Sequence, residues 1–157
     1  MTTASSPLPL IGWREWVSLP ALGIPHIKVK VDTGARSSAL HAFEIERFQK
    51  NGKSMLRFQV HPLQKDEVTT LTTEAELLEE RQVRDSGGRT EVRPVIQTAI
   101  ALYNYHWQIE LTLTNRNTMG FRMLLGRQAV RQRFVIDAGH SYIQSSAPAP
   151  SLCVDNL

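Results

Sequence analysis

The sequence predicts an all-β, barrel-like domain of a single lobe, with one short helix after Gly126. Apolar and polar residues alternate over many short runs, the period-two pattern of half-buried strands. Strong turn chemistry separates these runs, above all Asn51-Gly52 and Ser86-Gly87-Gly88-Arg89. Few segments carry a helical period, and many short strands with few helices give an all-β, barrel-like domain.

The 157 residues suit one domain, and 41% hydrophobic with 21% charged residues suffice for one core. No apolar run reaches the length of a membrane span. The start lacks a basic region followed by a sustained apolar stretch, so no secretory leader is expected and the cytoplasm is the default compartment. Cys153 is the single cysteine, which rules out an internal disulfide.

Residues 1–10 are polar or proline-rich and are expected to be a disordered tail, with the folded domain spanning 11–144. Gly12 to Leu19 reads as a first strand, with Trp13 and Trp16 adding apolar mass. In Ile24 to Val31, Ile27, Val29 and Val31 alternate with His26, Lys28 and Lys30. Ser38 to Phe48 and Met55 to Val60 read as strands joined through Asn51-Gly52. Residues 64–80 are acidic and Thr-rich, and 74–80 suits a short helix or a strand equally. Gln82 to Asp85 and Thr90 to Leu102 flank the Gly-Gly turn as a hairpin. Tyr105 to Thr114 is a clear strand, with Trp107, Ile109, Leu111 and Leu113 on one face. Met123 to Gly126 is an apolar strand ended by glycine, and Arg127 to Arg133 follows as a helix-like segment. From Ser145 to residue 157 a Ser/Pro-rich tail is expected to be flexible.

The chemistry begins at Asp32-Thr33-Gly34, where the strand ending at Val31 delivers a carboxylate, a hydroxyl and a glycine. Peptide hydrolysis by paired carboxylates needs two Asp side chains about 3 Å apart that share one proton, one acting as base on water and the other as acid toward the carbonyl. Gly34 allows close backbone approach to the carboxylate, and the Thr33 hydroxyl can fix the loop. Asp and Gly are also ordinary turn residues. Followed about ninety residues later by Leu124-Leu125-Gly126-Arg127, the loop resembles that of a pepsin-type half-barrel, the single lobe of a retropepsin, and this resemblance favours catalysis.

Length then bounds the mechanism, because two lobes in one chain would need about twice as many residues. Asp137-Ala138-Gly139 is not followed by another Leu-Leu-Gly, so Asp137 reads as a strand-end turn residue. The second carboxylate must come from a second copy of Asp32 in a two-fold homodimer. Ser86, Gly87 and Gly88 could tip a flap that closes over substrate, or form a plain hairpin turn.

Val31-Asp32-Thr33-Gly34-Ala35-Arg36-Ser37-Ser38-Ala39-Leu40-His41 resembles the signature of the bacterial retropepsin-like aspartic endopeptidases, a family also labelled an ATP-dependent zinc protease. Glu91 to Ile96, Leu111 to Arg116 and Met119 to Arg127 are similar to the same family, and the likeness covers roughly residues 11 to 144. It implies a retropepsin-like acid protease barrel, a homodimer, and Asp32, Thr33 and Gly34 as the catalytic loop. Leu124, Leu125 and Gly126 become its structural partner. It also suggests a role beside an ATP-grasp glutamate ligase, as a peptidase or as a non-catalytic regulatory module.

The zinc and ATP labels find no support in the residues. His26, His41, His61, His106 and His140 show no i, i+4 pair, and there is no Gly-x-x-x-x-Gly-Lys-Ser/Thr loop, so neither metal nor cofactor is expected. Charge hints at the substrate. Between Asn115 and Ile136 lie Arg116, Arg122, Arg127, Arg131 and Arg133 with no acidic residue. Where many retroviral proteases carry an Asp partner for the Arg of Leu-Leu-Gly-Arg, this chain has Arg36. Ala35, Arg36 and Arg127 are therefore expected to bind substrate, and a cationic cleft favours an acidic peptide. The competing reading is that these arginines pair with acids elsewhere. No nucleic-acid motif accompanies them, and neither nucleic acid nor membrane is an expected partner.

Overall fold

The computed structural model describes residues 7–62, 69–84, 87–115 and 120–148. Its strands are β1 (Leu10–Gly12), β2 (Arg14–Leu19), β3 (Ile24–Asp32), β4 (Ser38–His41), β5 (Phe43–Lys50), β6 (Lys53–Val60), β7 (Leu71–Glu76) and β8 (Glu79–Arg84). β9 (Thr90–Leu102), β10 (Tyr105–Thr114), β11 (Met123–Gly126) and β12 (Val135–Asp137) follow, with the single helical turn α1 (Arg127–Val130) between the last two. The all-β architecture with one short helix after Gly126 is therefore as the sequence predicts.

Six strands close a barrel in the order β10-β4-β11-β3-β2-β9, because β9 and β10 also pair antiparallel. The β10–β4 and β11–β3 pairs are parallel. Alternation decides which faces turn inward: Ile27, Val29 and Val31 are buried while Lys28 and Lys30 lean outward. Ile109, Leu111 and Leu113 complete the same core from β10. β8 extends the sheet beyond the barrel, pairing with β9. A separate sheet, β5-β6-β7, buries Leu56, Phe58 and Val60. Its first turn is the expected one, with Asn51 at φ +53° and Gly52 at φ +77°.

Two segments differ from the sequence expectation, and in a third the structure takes one of the two alternatives left open. Ser38 to Phe48 is two strands. Every residue of β4 is buried within the barrel, whereas the Ala42 amide turns to the Thr114 carbonyl (3.0 Å) and β5 leaves for the second sheet. The Glu-rich stretch 74–80 is extended: Ala75 faces Leu56, and Glu80 faces Pro94. Pairing with β6 and β9 overrides the helical preference of Glu, Ala and Leu. The strand expected over Gly12 to Leu19 breaks at Trp13. There β1 leaves to pair in parallel with β12, with Leu10 opposite Val135 and Gly12 opposite Asp137. Gly12 is required at that crossing, since a Cβ would lie 2.6 Å from the His140 carbonyl oxygen.

Glu15 secures the far end of the chain. Its carboxylate is fully buried and accepts from the amides of Gly12 (2.7 Å), Ile143 (2.8 Å) and Gln144 (3.2 Å), and from the Ser145 hydroxyl. At the other end, Pro9 accepts a hydrogen bond from the Val135 amide (2.9 Å). Residues 9, 10 and 145, which the sequence assigned to tails, are thus joined to the domain. No helix among the described residues is long and apolar enough to cross a membrane.

Candidate active site

β3 ends on Asp32, directly across from Gly126 in the parallel register with β11. The chain then folds tightly: Asp32 Oδ1 accepts from the Gly34 amide (3.1 Å) and the Asp32 carbonyl from the Ala35 amide (3.2 Å). The returning loop is strapped by the start of α1. The Arg127 amide donates to the Ala35 carbonyl (2.7 Å) and the Gln128 amide to the Arg36 carbonyl (3.1 Å). The Gly126 amide donates to the buried Ser38 hydroxyl (3.0 Å), and the Ser38 carbonyl accepts from the Thr112 hydroxyl (3.0 Å). A Cβ on Gly126 would collide with the Ser37 carbonyl, so the close crossing needs glycine. The Leu-Leu-Gly run is therefore the clasp that fixes the Asp loop, with Leu125 anchored in the core and Leu124 beside the cleft.

Thr33 contributes to this clasp through its carbonyl, which accepts from Arg127 Nη1 (2.8 Å). Its side chain is exposed and makes no bond within the protomer among the described residues. Asp32 lies at a cleft of about 1220 Å³. Two carboxylates line that cleft, Asp32 and Glu110, against five arginines: Arg36, Arg81, Arg84, Arg93 and Arg133. Glu110 is taken by Arg81 (2.8 Å), which leaves Asp32 as the uncommitted acid. Arg36, Arg84 and Arg133 have no carboxylate partner among the described residues. Arg133 lies over the Trp107 ring, 5.8 Å from its centroid, and Trp107 Nε1 is anchored to the Ala129 carbonyl (3.0 Å).

A family model for the retropepsin-like aspartic endopeptidase RimB matches residues 10–147. The chain belongs to the RimB-like family. RimB-like sequence also occurs inside larger proteins. The chain is 48% identical over 133 residues to a protein of Parasynechococcus marenigrum named "Probable alpha-L-glutamate ligase", covering 85% of this chain and 28% of that one. A protein of the same name from Desulfotalea psychrophila is 47% identical over 128 residues, covering 82% of this chain and 28% of the relative. The chain thus spans under a third of these relatives, and their name describes proteins of which most is absent here. Among solved structures, a Legionella pneumophila protein of unknown function superposes with a TM-score of 0.72 at 27% identity, covering 87% of this chain and 98% of that one.

Within this RimB-like chain the structure brings Asp32, Gly34, Ala35 and Arg36 together at the cleft. Arg127, expected with Ala35 and Arg36 to bind substrate, donates to the Thr33 carbonyl and is not among the residues that line the cleft. Of the expected flap tip, Gly87 and Gly88 are exposed and Ser86 lies outside the described residues. Asp137 ends β12 in a turn, with Oδ1 accepting from the Gly139 amide (2.9 Å) and Oδ2 2.7 Å from His140 Nδ1. Of the Arg-rich stretch from Asn115 to Ile136, Arg133 reaches the cleft, Arg122 is buried and Arg116 lies outside the described residues.

Sequence reasoning missed the cleft arginines of β8 and β9. A signal existed: a hairpin folded about Gly87 sets Arg81 opposite Arg93, as the register does. It also passed over Asp85-Ser86-Gly87, a further Asp-x-Gly. That tripeptide lies between antiparallel β8 and β9, not at the end of a strand crossing a Leu-Leu-Gly, and its Asp85 and Ser86 lie outside the described residues. No three His, Cys, Asp or Glu side chains converge as a metal site among the described residues.

Proposed function

We propose that two copies of this chain form an aspartic endopeptidase in which both Asp32 side chains meet across a two-fold axis. The observation that carries this reading is the Asp32–Gly34 loop clasped by Gly126, which presents one carboxylate per lobe. In such a pair one carboxylate accepts a proton from water as the water attacks the peptide carbonyl, and the other gives its proton to the carbonyl oxygen. The amine then leaves with a proton returned from the dyad. Gly87 and Gly88, at the tip of the β8–β9 hairpin, suit a flap over the cleft.

The surface around β1 and β12 supports the dimer. Leu8, Leu10 and Val135 are exposed apolar residues, Leu10 and Val135 are register partners, and each strand has an unpaired outer edge among the described residues. A second copy would cover them with the same surface. For substrate, Arg36, Arg84 and Arg133 favour acidic chains such as glutamate-rich tails. That fits a place beside a glutamate ligase.

A second reading is supported by the relatives named as ligases, in which RimB-like sequence is 28% of the protein. Here the domain would bind a ligase's acidic product without cutting it. Incubating the purified chain and its Asp32→Asn variant with a glutamate-rich peptide separates the two. Cleavage by the wild type, lost in a folded Asp32→Asn chain, is the expected result. No cleavage by a dimeric wild type, or equal cleavage by both proteins, would overturn the peptidase.

A further inference from the structure

Arg81 and Arg93 stand directly opposite each other on the β8–β9 hairpin, so both side chains lie on one face. Like charges in that position repel and weaken a hairpin. Here the pair is retained at the cleft and offset by three glutamates. Glu79 and Glu91 each lie two residues before their arginine on the same strand, hence on the same face. Arg81 Nε donates to Glu79 (2.8 Å) and Arg93 Nε to Glu91 (2.9 Å). The third, Glu110, comes from β10 and takes Arg81 Nη2 at 2.8 Å. Glu110 foremost, and then Glu79, raise the Arg81 pKa above its ordinary value.

The two guanidiniums are unequally satisfied. Arg81 is held on both sides by carboxylates. The Arg93 side chain is only 8% exposed, yet it is held through Nε alone and its two terminal amino groups have no partner among the described residues. Arg93 lines the cleft, and a planar guanidinium fork matches a carboxylate with two parallel hydrogen bonds. Glu110 itself is half-exposed, so its bond to Arg81 exchanges at small cost.

We propose that Arg81 and Arg93 form a clamp for a substrate carboxylate, and that Glu110 is an internal competitor which occupies Arg81 until an acidic peptide displaces it. The clamp rests on reading the cleft as a peptide site and gives that site its preference for acidic side chains.

The test uses the full chain carrying Asp32→Asn, so that peptide is bound and not consumed. Probes are a fluorescein-labelled oligo-glutamate peptide and an oligo-glutamine control of equal length, read by anisotropy, with thermal melts to verify folding. Arg93→Gln is expected to weaken the glutamate peptide about tenfold and leave the glutamine peptide unchanged. Arg93→Lys, which keeps the charge but loses the fork, falls between them. Glu110→Gln is expected to tighten the glutamate peptide about two- to fivefold, and that gain vanishes when Arg81→Gln is also present.

A folded Glu110→Gln chain that binds the glutamate peptide no better overturns the clamp. So does a gain that persists without Arg81, which would reflect cleft charge at large. Should the binding pattern hold while the Asp32-intact chain cleaves nothing, the peptidase reading fails and the clamp stands. Cleavage of glutamate-rich peptide, with binding indifferent to Arg93 and Glu110, removes the clamp alone.

Discussion

Gly126 faces Asp32 across the parallel β3–β11 pair, and its amide donates to Ser38 on the far side of the same loop. One glycine therefore sets both ends of the segment that carries the candidate catalytic carboxylate. Gly126→Ala would push a methyl into the Ser37 carbonyl, a rigid backbone group. We expect a loss of about 1–3 kcal/mol of stability, on the scale of overpacking. Peptidase activity should fall by a larger factor than the folded fraction does. Denaturant melts and cleavage rates on the same samples check this.

Arg36 and Arg127 should separate cleanly by role. Arg36 lines the cleft without a carboxylate partner among the described residues, so Arg36→Ala should reduce the preference for glutamate-rich over lysine-rich peptides and leave the melting temperature nearly unchanged. The wild-type preference should also weaken with added salt. Arg127 holds the Thr33 carbonyl, so Arg127→Ala should lower kcat for both peptides while leaving their ratio intact. Steady-state kinetics on paired peptides reads both effects.

Val135 is 49% exposed on the two-stranded β1–β12 surface. If a second copy covers it, Val135→Glu buries a charge against its own symmetry mate and should convert a dimer to a monomer. Sedimentation velocity measures the change, and hydrolysis should be lost with the dimer. A variant that stays dimeric would move the interface elsewhere.

The buried Glu15 carboxylate gathers three amides and a hydroxyl. Glu15→Ala leaves those amides without an acceptor at a cost of about 1–3 kcal/mol each where water cannot enter. Global destabilisation, together with faster amide exchange at Ile143 and Gln144, is the expected result.

Asp137 has its pKa lowered from the model-peptide value of 3.8, first by the Gly139 amide and then by His140. A depressed carboxylate contributes stability that is present above its unfolded value and is lost as pH falls through its folded value. The melting temperature of Asp137→Asn should therefore trail the wild type at neutral pH and converge with it as pH drops below 3.8. Parallel melts from pH 7 to pH 2 would show the convergence.

The sequence by itself determined the strands that carry strict alternation, the Asn51-Gly52 turn, a hairpin around Gly87-Gly88, and the pairing of Asp32-Thr33-Gly34 with Leu124-Leu125-Gly126. These were legible because a period of two and a glycine between apolar residues are local consequences of burial and close backbone approach. Tertiary structure alone decided the rest. It split Ser38 to Phe48 between two sheets, because the partners that end β4 and start β5 lie far along the chain. It drew 74–80 into strands, because the waiting edges of β6 and β9 outweigh helix propensity. It sent Arg127 to Thr33 and filled the cleft with Arg81, Arg84, Arg93 and Arg133. A long charged side chain can reach in many directions, and only the packing around it fixes which carbonyl or carboxylate it meets.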